Sequence, residues 1–233
     1  MNFKQKRDAY AYPMVGLSGT VASHHEVAFD TSSKLEAHHA RLLCSAEDDE
    51  VLLGYLSTLF WGHYAGAAGR TTANRALSRV QLALVGSSFE RNGKTCQRPG
   101  INHFGRGKAV ALIRKAKRLL VERQYGEGVK LLCDLPQLGF AFASKVAAFL
   151  APETCGVIDS VIAEKHPHYG FKLRAGYVSD VKENVARYQA YCQALCSEAD
   201  KQNQLGESAY WQERNGELRA WRAVDIERAL YSL

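Results

Sequence analysis

The chain lacks the features of a membrane or secreted protein. None of its apolar runs is long enough to cross a bilayer, and the N-terminal sequence MNFKQKRDAY has no apolar core of a signal peptide. We therefore expect a soluble cytoplasmic protein with reduced thiols and no membrane partner.

The sequence also lacks cysteine and histidine residues with the spacing of a metal site. The six cysteines include no pair with the C-x2-C spacing of a zinc site. Two pairs of adjacent histidines, His24-His25 and His38-His39, have no cysteine or carboxylate spaced to complete a site. Surface histidines are the simpler interpretation, and we expect neither a metal nor a cofactor.

The sequence has little of the apolar-polar alternation that half-buried strands require, and it has no internal repeat. Helical periodicity is common instead. It predicts helices over 34–43, from a cap near Ser45 to Tyr64, over 71–85, within 102–125 and 126–132, over 140–150, after a cap near Ser179, and over 224–231. Loops are expected at 86–100 and 165–178. We expect an all or mainly α fold, with an irregular lead-in over 1–32 and one helical domain over 33–233.

Basic residues exceed acidic ones, giving a formal net charge of +6. They are densest between Asn102 and Tyr125, where an amphipathic helix is predicted to carry them on its outer side. Such a face is often merely solvated. The alternative is contact with DNA phosphates, for which the candidates are Arg106, Lys108, Arg114 and Lys117.

The segment 135–164, LPQLGFAFASKVAAFLAPETCGVIDSVIAE, concentrates the chemistry of the chain. It begins with the L-P-x-x-G form of a tight turn, which leaves amides unpaired at the start of the next helix. These amides can bind a phosphate oxygen, because a helix N-terminus carries positive partial charge. The candidate DNA-binding residues of the turn are Pro136, Gln137, Leu138, Gly139, Phe140 and Ala141.

A second helix is predicted to begin within Val157–Ile162, after Pro152 ends the first. Asp159 or Ser160 suits its N-cap, and an acid there would lie against the helix dipole. A structural cap is one interpretation of Asp159, and a catalytic carboxylate is the other.

These residues resemble the helix-hairpin-helix DNA glycosylases, in particular bacterial proteins of the 8-oxoguanine DNA glycosylase fold. In that superfamily the L-P-x-x-G turn is followed by a V-x-D that holds the catalytic aspartate, which falls here on Val157-Ile158-Asp159. The resemblance implies two closely packed helical lobes, a catalytic Asp159, and double-stranded DNA with a damaged or modified base as the partner.

The sequence departs from the family at the catalytic lysine. In bifunctional members the lysine lies two residues after the turn glycine, where this chain has Ala141. Lys145 follows four residues later on the same helical face, and its side chain leans towards the N-terminus. The subset it most resembles reads G-x-A-F-x-x-K, as Gly139, Ala141, Phe142 and Lys145 do here. Lys145 is therefore a candidate amine nucleophile or a phosphate-binding cation.

Aromatic residues near the end of the helix that finishes at Tyr64 are candidates for a base pocket. A flipped base needs π faces on which to stack. Trp61, His63 and Tyr64, together with Phe142, could supply them. Core packing is the alternative interpretation of the three residues on that helix.

The first functional hypothesis is a monomeric DNA glycosylase that flips a base and cleaves its N-glycosidic bond, with an AP-lyase step if Lys145 is the nucleophile. It could serve base excision repair or attack modified phage DNA. The second is a non-catalytic helix-hairpin-helix module that only binds DNA. The third is an unrelated helical protein with a coincidental turn.

Overall fold

The computed structural model describes residues 2–64, 73–91 and 93–232. Within these residues there are eleven α-helices. In chain order they are α1 (Phe3–Asp8), α2 (Ser32–Leu43), α3 (Asp48–Tyr64), α4 (Ala73–Val85), α5 (Ile101–Phe104), α6 (Arg106–Val121), α7 (Tyr125–Leu132), α8 (Phe140–Leu150), α9 (Ser160–Lys165), α10 (Lys182–Gln204) and α11 (Ala223–Tyr231).

Eight strands in the described residues pair as four antiparallel two-stranded sheets. The pairs are β1 (Val15–Gly19) with β2 (His24–Ala28), β3 (Gly86–Arg91) with β4 (Lys94–Pro99), β5 (Leu173–Arg174) with β6 (Tyr177–Val178), and β7 (Trp211–Gln212) with β8 (Leu218–Arg219).

The expectation of an all or mainly α fold is wrong. Of the described residues, 59% are helical and 13% lie in short antiparallel strand pairs, so the fold is mixed α and β. The sequence pattern did not predict these strands because most of their residues are exposed on both faces, as in β2 and β4. A strand that buries neither face shows no apolar alternation. The expected loop at 86–100 is the β3–β4 pair, and the expected loop at 165–178 contains β5 and β6.

The predicted helices α3, α8, α10 and α11 are confirmed within a few residues of their expected bounds. The start of α3 follows from the acids Asp48, Asp49 and Glu50 in its first turn, which interact favourably with the helix dipole. The helix expected from Thr71 is described from Ala73 onwards, and Thr71 and Thr72 lie outside the described residues.

Residues 1–32 contain regular elements where an irregular lead-in was expected. Helix α1 packs against α11, and β1 packs against α3. The amide of Leu17 in β1 donates to the hydroxyl of Ser57 in α3 at 2.8 Å. Most buried apolar residues, from Val15 to Leu230, form one large cluster, so the expected division into two helical lobes is not seen in the core. In the described residues, no helix is long and apolar enough to span a membrane.

A buried ionic cluster joins α1, α2 and α11. Asp225 is fully buried and lies 3.2 Å from Arg7 and 2.8 Å from Arg222. Glu36 pairs with Arg222 at 2.8 Å and with Arg228. Burial alone would raise the pKa of Asp225, but Arg222, Arg7 and Arg228 outweigh it and hold that pKa below its usual value. The cluster thus ties the N-terminal helix to the C-terminal one.

We predict that Asp225→Asn lowers the free energy of unfolding by about 3–5 kcal/mol at neutral pH, because it leaves Arg7 buried without its carboxylate. Urea unfolding measures the loss. The control Glu50→Gln breaks the exposed Arg41–Glu50 pair and should cost far less, because solvent screens that pair. Since the pKa of Asp225 is depressed in the folded state, the difference should shrink as pH falls below about 4. Equal costs for the two variants would contradict the prediction.

Candidate active site

The structure brings Lys145 and Asp159 together. Lys145 projects from α8, and Asp159 is the N-cap of α9. Lys145 Nζ lies 3.8 Å from Asp159 Oδ2, with the lysine side chain 6% exposed and the aspartate side chain 21% exposed. That distance gives charge attraction without a hydrogen bond. Among the described residues, Lys145 Nζ has no hydrogen-bond partner.

The two oxygens of Asp159 have different tasks. Oδ1 accepts a hydrogen bond from the amide of Ile162 at 3.1 Å, which caps α9, while Oδ2 is the oxygen nearer Lys145. The structural interpretation of Asp159 as a cap is therefore confirmed. The cap also fixes the carboxylate, because one oxygen held by the backbone orients the other.

Ser144 connects the segment before Asp159 to α8 through hydrogen bonds. Its hydroxyl donates to the carbonyl of Ala141 at 2.8 Å and accepts from the amide of Ile158 at 3.0 Å. Since Ser144 and Lys145 are neighbours on α8, and Ile158 and Asp159 are neighbours on the other segment, this contact sets the Lys145–Asp159 spacing.

Two buried tyrosines of α10 hold the same segment from the other side. Tyr188 donates to the carbonyl of Gly156 at 2.9 Å, and Tyr191 donates to that of Val157 at 3.1 Å. The segment therefore has its carbonyls satisfied although it belongs to no helix or strand, as buried backbone requires.

Aromatic rings surround the amine of Lys145. Its Nζ lies 5.4 Å from the ring centre of Trp61, 5.8 Å from that of Phe142 and 6.0 Å from that of Tyr12. Such rings stabilise a buried cation through their negative faces. Gly62 makes the packing possible, because a Cβ there would lie 2.4 Å from Phe142 and 3.0 Å from Lys145. A sheltered cation with π faces around it is thus the central feature of the site.

Three of the four aromatic residues expected in the base pocket, Trp61, His63 and Phe142, lie together near Lys145, whereas Tyr64 does not. His63 stacks on Phe142 with ring centres 4.2 Å apart. Burial, and then the charges of Arg79 and Lys145, lower the pKa of His63 to about 4, so it is a neutral ring at neutral pH. Trp61 is a core residue that also faces the amine, with its indole N–H bound to the Pro13 carbonyl.

Tyr64 turns away from this group. Its hydroxyl donates to Glu26 of β2 at 3.0 Å, and its ring contacts Phe60. Tyr64 lies one helical turn beyond Trp61, where its hydroxyl binds Glu26 of the β1–β2 pair.

The L-P-x-x-G segment forms the turn expected from the sequence. Gln137 has a positive φ of 60°, and the carbonyl of Pro136 accepts a hydrogen bond from Tyr55. Gly139 caps α8 without a side-chain cap hydrogen bond, and a Cβ there would meet open space. Leu138 and Phe140 have buried side chains. Pro136 has no N–H, and the Leu138 amide donates to the Leu135 carbonyl at 3.1 Å. Gly139, Phe140 and Ala141 can therefore offer a phosphate their backbone amides rather than their side chains.

The basic helix α6 is less available than its sequence indicates. Arg114 lies 2.9 Å from Asp48 and donates to the Ala46 carbonyl at 2.6 Å, and Arg106 lies 3.3 Å from Asp49. Both arginines therefore stabilise the start of α3. Lys117 is half-buried, whereas Lys108 is exposed with its Nζ 4.3 Å from the ring centre of Phe104.

Sequence reasoning missed Tyr12, Tyr231 and Glu227. Glu227 and Tyr231 are four residues apart on α11, which places them on one helical face. Glu227 is 3% exposed and packs against Gly156. Burial, opposed by Arg228 and reinforced by Asp159, raises the pKa of Glu227 to about 8. Nothing in the sequence links α11 to Lys145, so only the folded chain shows this carboxyl beside the site.

Comparisons with protein-family models, with curated proteins and with solved structures found no match to this chain. In the described residues there is no group of three or more histidine, cysteine, aspartate or glutamate side chains that could hold a metal ion.

We predict that Glu227→Gln becomes more stable than the wild type as pH rises. The raised pKa means that the folded wild type holds a proton that the unfolded chain loses, so its free energy of unfolding falls between about pH 4.5 and pH 8. Glutamine has no such dependence. The difference between the two proteins, measured by urea unfolding, should grow by about 3 kcal/mol from about pH 5 to pH 8. The control Glu122→Gln replaces an exposed carboxyl, and its difference from wild type should stay constant. A Glu227→Gln difference that does not change with pH would refute the assignment.

Proposed function

We propose that the chain is a DNA glycosylase that extrudes a damaged or modified base from duplex DNA and cleaves its N-glycosidic bond, with Lys145 able to nick the strand afterwards. One observation carries the proposal: a buried amine and a fixed carboxylate lie 3.8 Å apart, within an aromatic enclosure. The resemblance of 135–164 to helix-hairpin-helix DNA glycosylases supports it. We further propose that the protein acts in the cytoplasm as a monomer.

DNA binding would begin at the backbone of the turn before α8. The amides at the start of this helix bind a phosphate oxygen, which carries no sequence information. The excess of basic residues raises affinity for a polyanion. Lys145 lies on α8, the helix that begins at this turn. A phosphate bound by the turn would therefore be held by the same rigid helix as the proposed reacting amine.

Base release would then proceed at the Lys145–Asp159 pair. As the bond from C1′ to the base breaks, its electron pair leaves with the base and positive charge develops on the sugar. The Asp159 carboxylate stabilises this charge in a site largely shielded from water. The extruded nucleotide stacks against the rings that enclose the amine.

Lys145 would complete the reaction as a nucleophile. The departing base takes a proton from the Lys145 ammonium, and the freed amine forms a bond to C1′. Ring opening moves a proton from that nitrogen to O4′ and leaves an iminium ion. Loss of the C2′ proton then expels the 3′ phosphate and breaks the strand.

We predict that borohydride traps a covalent complex between the wild type and a duplex with a single abasic site, whose C1′ aldehyde condenses with an amine with loss of water. This probe needs no knowledge of the excised base. Lys145→Gln should abolish the complex, whereas the control Lys130→Gln, which changes an exposed lysine of α7, should trap as well as wild type.

Retained DNA binding and an unchanged melting temperature must accompany the loss in Lys145→Gln. Undiminished trapping by this variant would remove Lys145 as the nucleophile. A wild type that binds duplex DNA but gives neither an adduct nor base release would favour the non-catalytic binding module.

We predict that Asp159→Asn retains binding but slows base release by about 10²–10³-fold, because the amide keeps the α9 cap and removes the charge that meets the cationic sugar. The assay uses duplexes that each carry one modified base, including oxidised guanine and modified pyrimidines of phage type. Release at the wild-type rate on the best substrate would show that the carboxylate is only a cap.

A further inference from the structure

The β3–β4 pair, here called the ribbon, stands apart from the apolar core. Most of its described residues are exposed, including Lys94, Gln97 and Arg98, and Phe89 is 37% exposed. Gly93 in its turn has a φ of 69°, which allows a tight reversal. A ribbon with so little burial contributes little to the core, which leaves its surfaces for another purpose.

The two faces of the ribbon differ in charge. Because directly paired residues of antiparallel strands share a face, the pairs Phe89–Cys96 and Ser87–Arg98 lie on one side. The guanidinium of Arg98 lies over the Phe89 ring, 4.7 Å from its centre. Lys94 follows the same alternation. This side, the cationic face, therefore combines two basic residues with an aromatic ring.

The opposite face carries the acid. It presents the pairs Ser88–Gln97 and Glu90–Thr95, and the Thr95 hydroxyl donates to Glu90 at 2.5 Å. The charges are thus sorted between the faces, which gives the ribbon one side suited to an anion.

The cationic face continues into the turn before α8. Arg98 and Pro99 line a groove of about 430 Å³ together with Phe104 and the segment from Cys133 to Gly139. Lys108 covers Phe104 from α6. The groove contains one exposed acid, Asp134. A strand held by the amides at Gly139 would therefore meet Arg98 next.

The charges and the aromatic ring of the cationic face fit a nucleic-acid strand as the molecule bound there. Basic side chains alternating with an exposed aromatic ring match phosphates alternating with flat bases. From Lys94 to Arg98 the ribbon extends about 13 Å, since a strand rises about 3.3 Å per residue. This reach covers several phosphates of one strand.

We propose that the cationic face of the ribbon is a second DNA-binding surface, in which Arg98 and Lys94 bind phosphates of the strand that leaves the α8 turn and Phe89 stacks on one of its bases. This inference rests on the proposed function. It also explains why the ribbon stays exposed with its charges sorted.

The test measures the dissociation constant of a fluorescent duplex with one abasic site over a series of KCl concentrations. Lys94→Ala and Arg98→Ala should each reduce the slope of log affinity against log salt by about 1. Phe89→Ala should weaken binding about 10-fold. Gln97→Ala, on the other face, is the matched control and should behave as wild type.

Two failures are distinguishable. If wild type binds the duplex but the Lys94, Arg98 and Phe89 variants match Gln97→Ala in affinity and slope, the ribbon proposal is overturned while the proposed function stands. If wild type shows no salt-dependent binding to the duplex, both are overturned. Because the changed side chains are exposed, melting temperatures should stay at the wild-type value.

Discussion

A lysine amine inside a protein can keep its charge only if another charge or a set of dipoles replaces the water that it has lost. Lys145 meets this requirement through Asp159 at 3.8 Å and through three aromatic rings, and not through a hydrogen bond among the described residues. The arrangement stabilises the cation and leaves its N–H groups without hydrogen-bond partners among the described residues. These unpaired donors beside a fixed carboxylate are the physical basis on which we propose a reactive role for the pair.

The rest of the molecule maintains that separation. Ser144 fixes the segment before Asp159 to α8, and Tyr188 and Tyr191 hold it from α10. The two ends of the described chain also meet at the site. Tyr12 follows α1, and Tyr231 ends α11, with their ring centres 6.1 Å apart. The buried ionic cluster between α1 and α11 holds these helices together, so it supports the site from a distance.

Local signals in the sequence predicted the centre of the site. A proline, a glycine and helical periodicity determine α8 and the α9 cap, because each acts on its near neighbours. Contacts distant in sequence were not predictable in this way. Arg114 looked like a phosphate ligand until the fold brought Asp48 beside it. Glu227 gave no sign of its burial, and the exposed β3–β4 strands carry no apolar alternation. Sequence patterns therefore identified Lys145 and Asp159 as candidate reacting groups but not the surroundings of these two side chains.

We propose that the amine of Lys145 reacts at C1′ of an extruded nucleotide, and mapping the attachment point is the sharpest test of this role. Wild-type protein is reduced with borohydride in the presence of abasic-site duplex, digested with nuclease and protease, and sequenced by mass spectrometry. We expect the reduced sugar remnant to be attached to Lys145. Attachment to another lysine or to the N-terminal amine would contradict it.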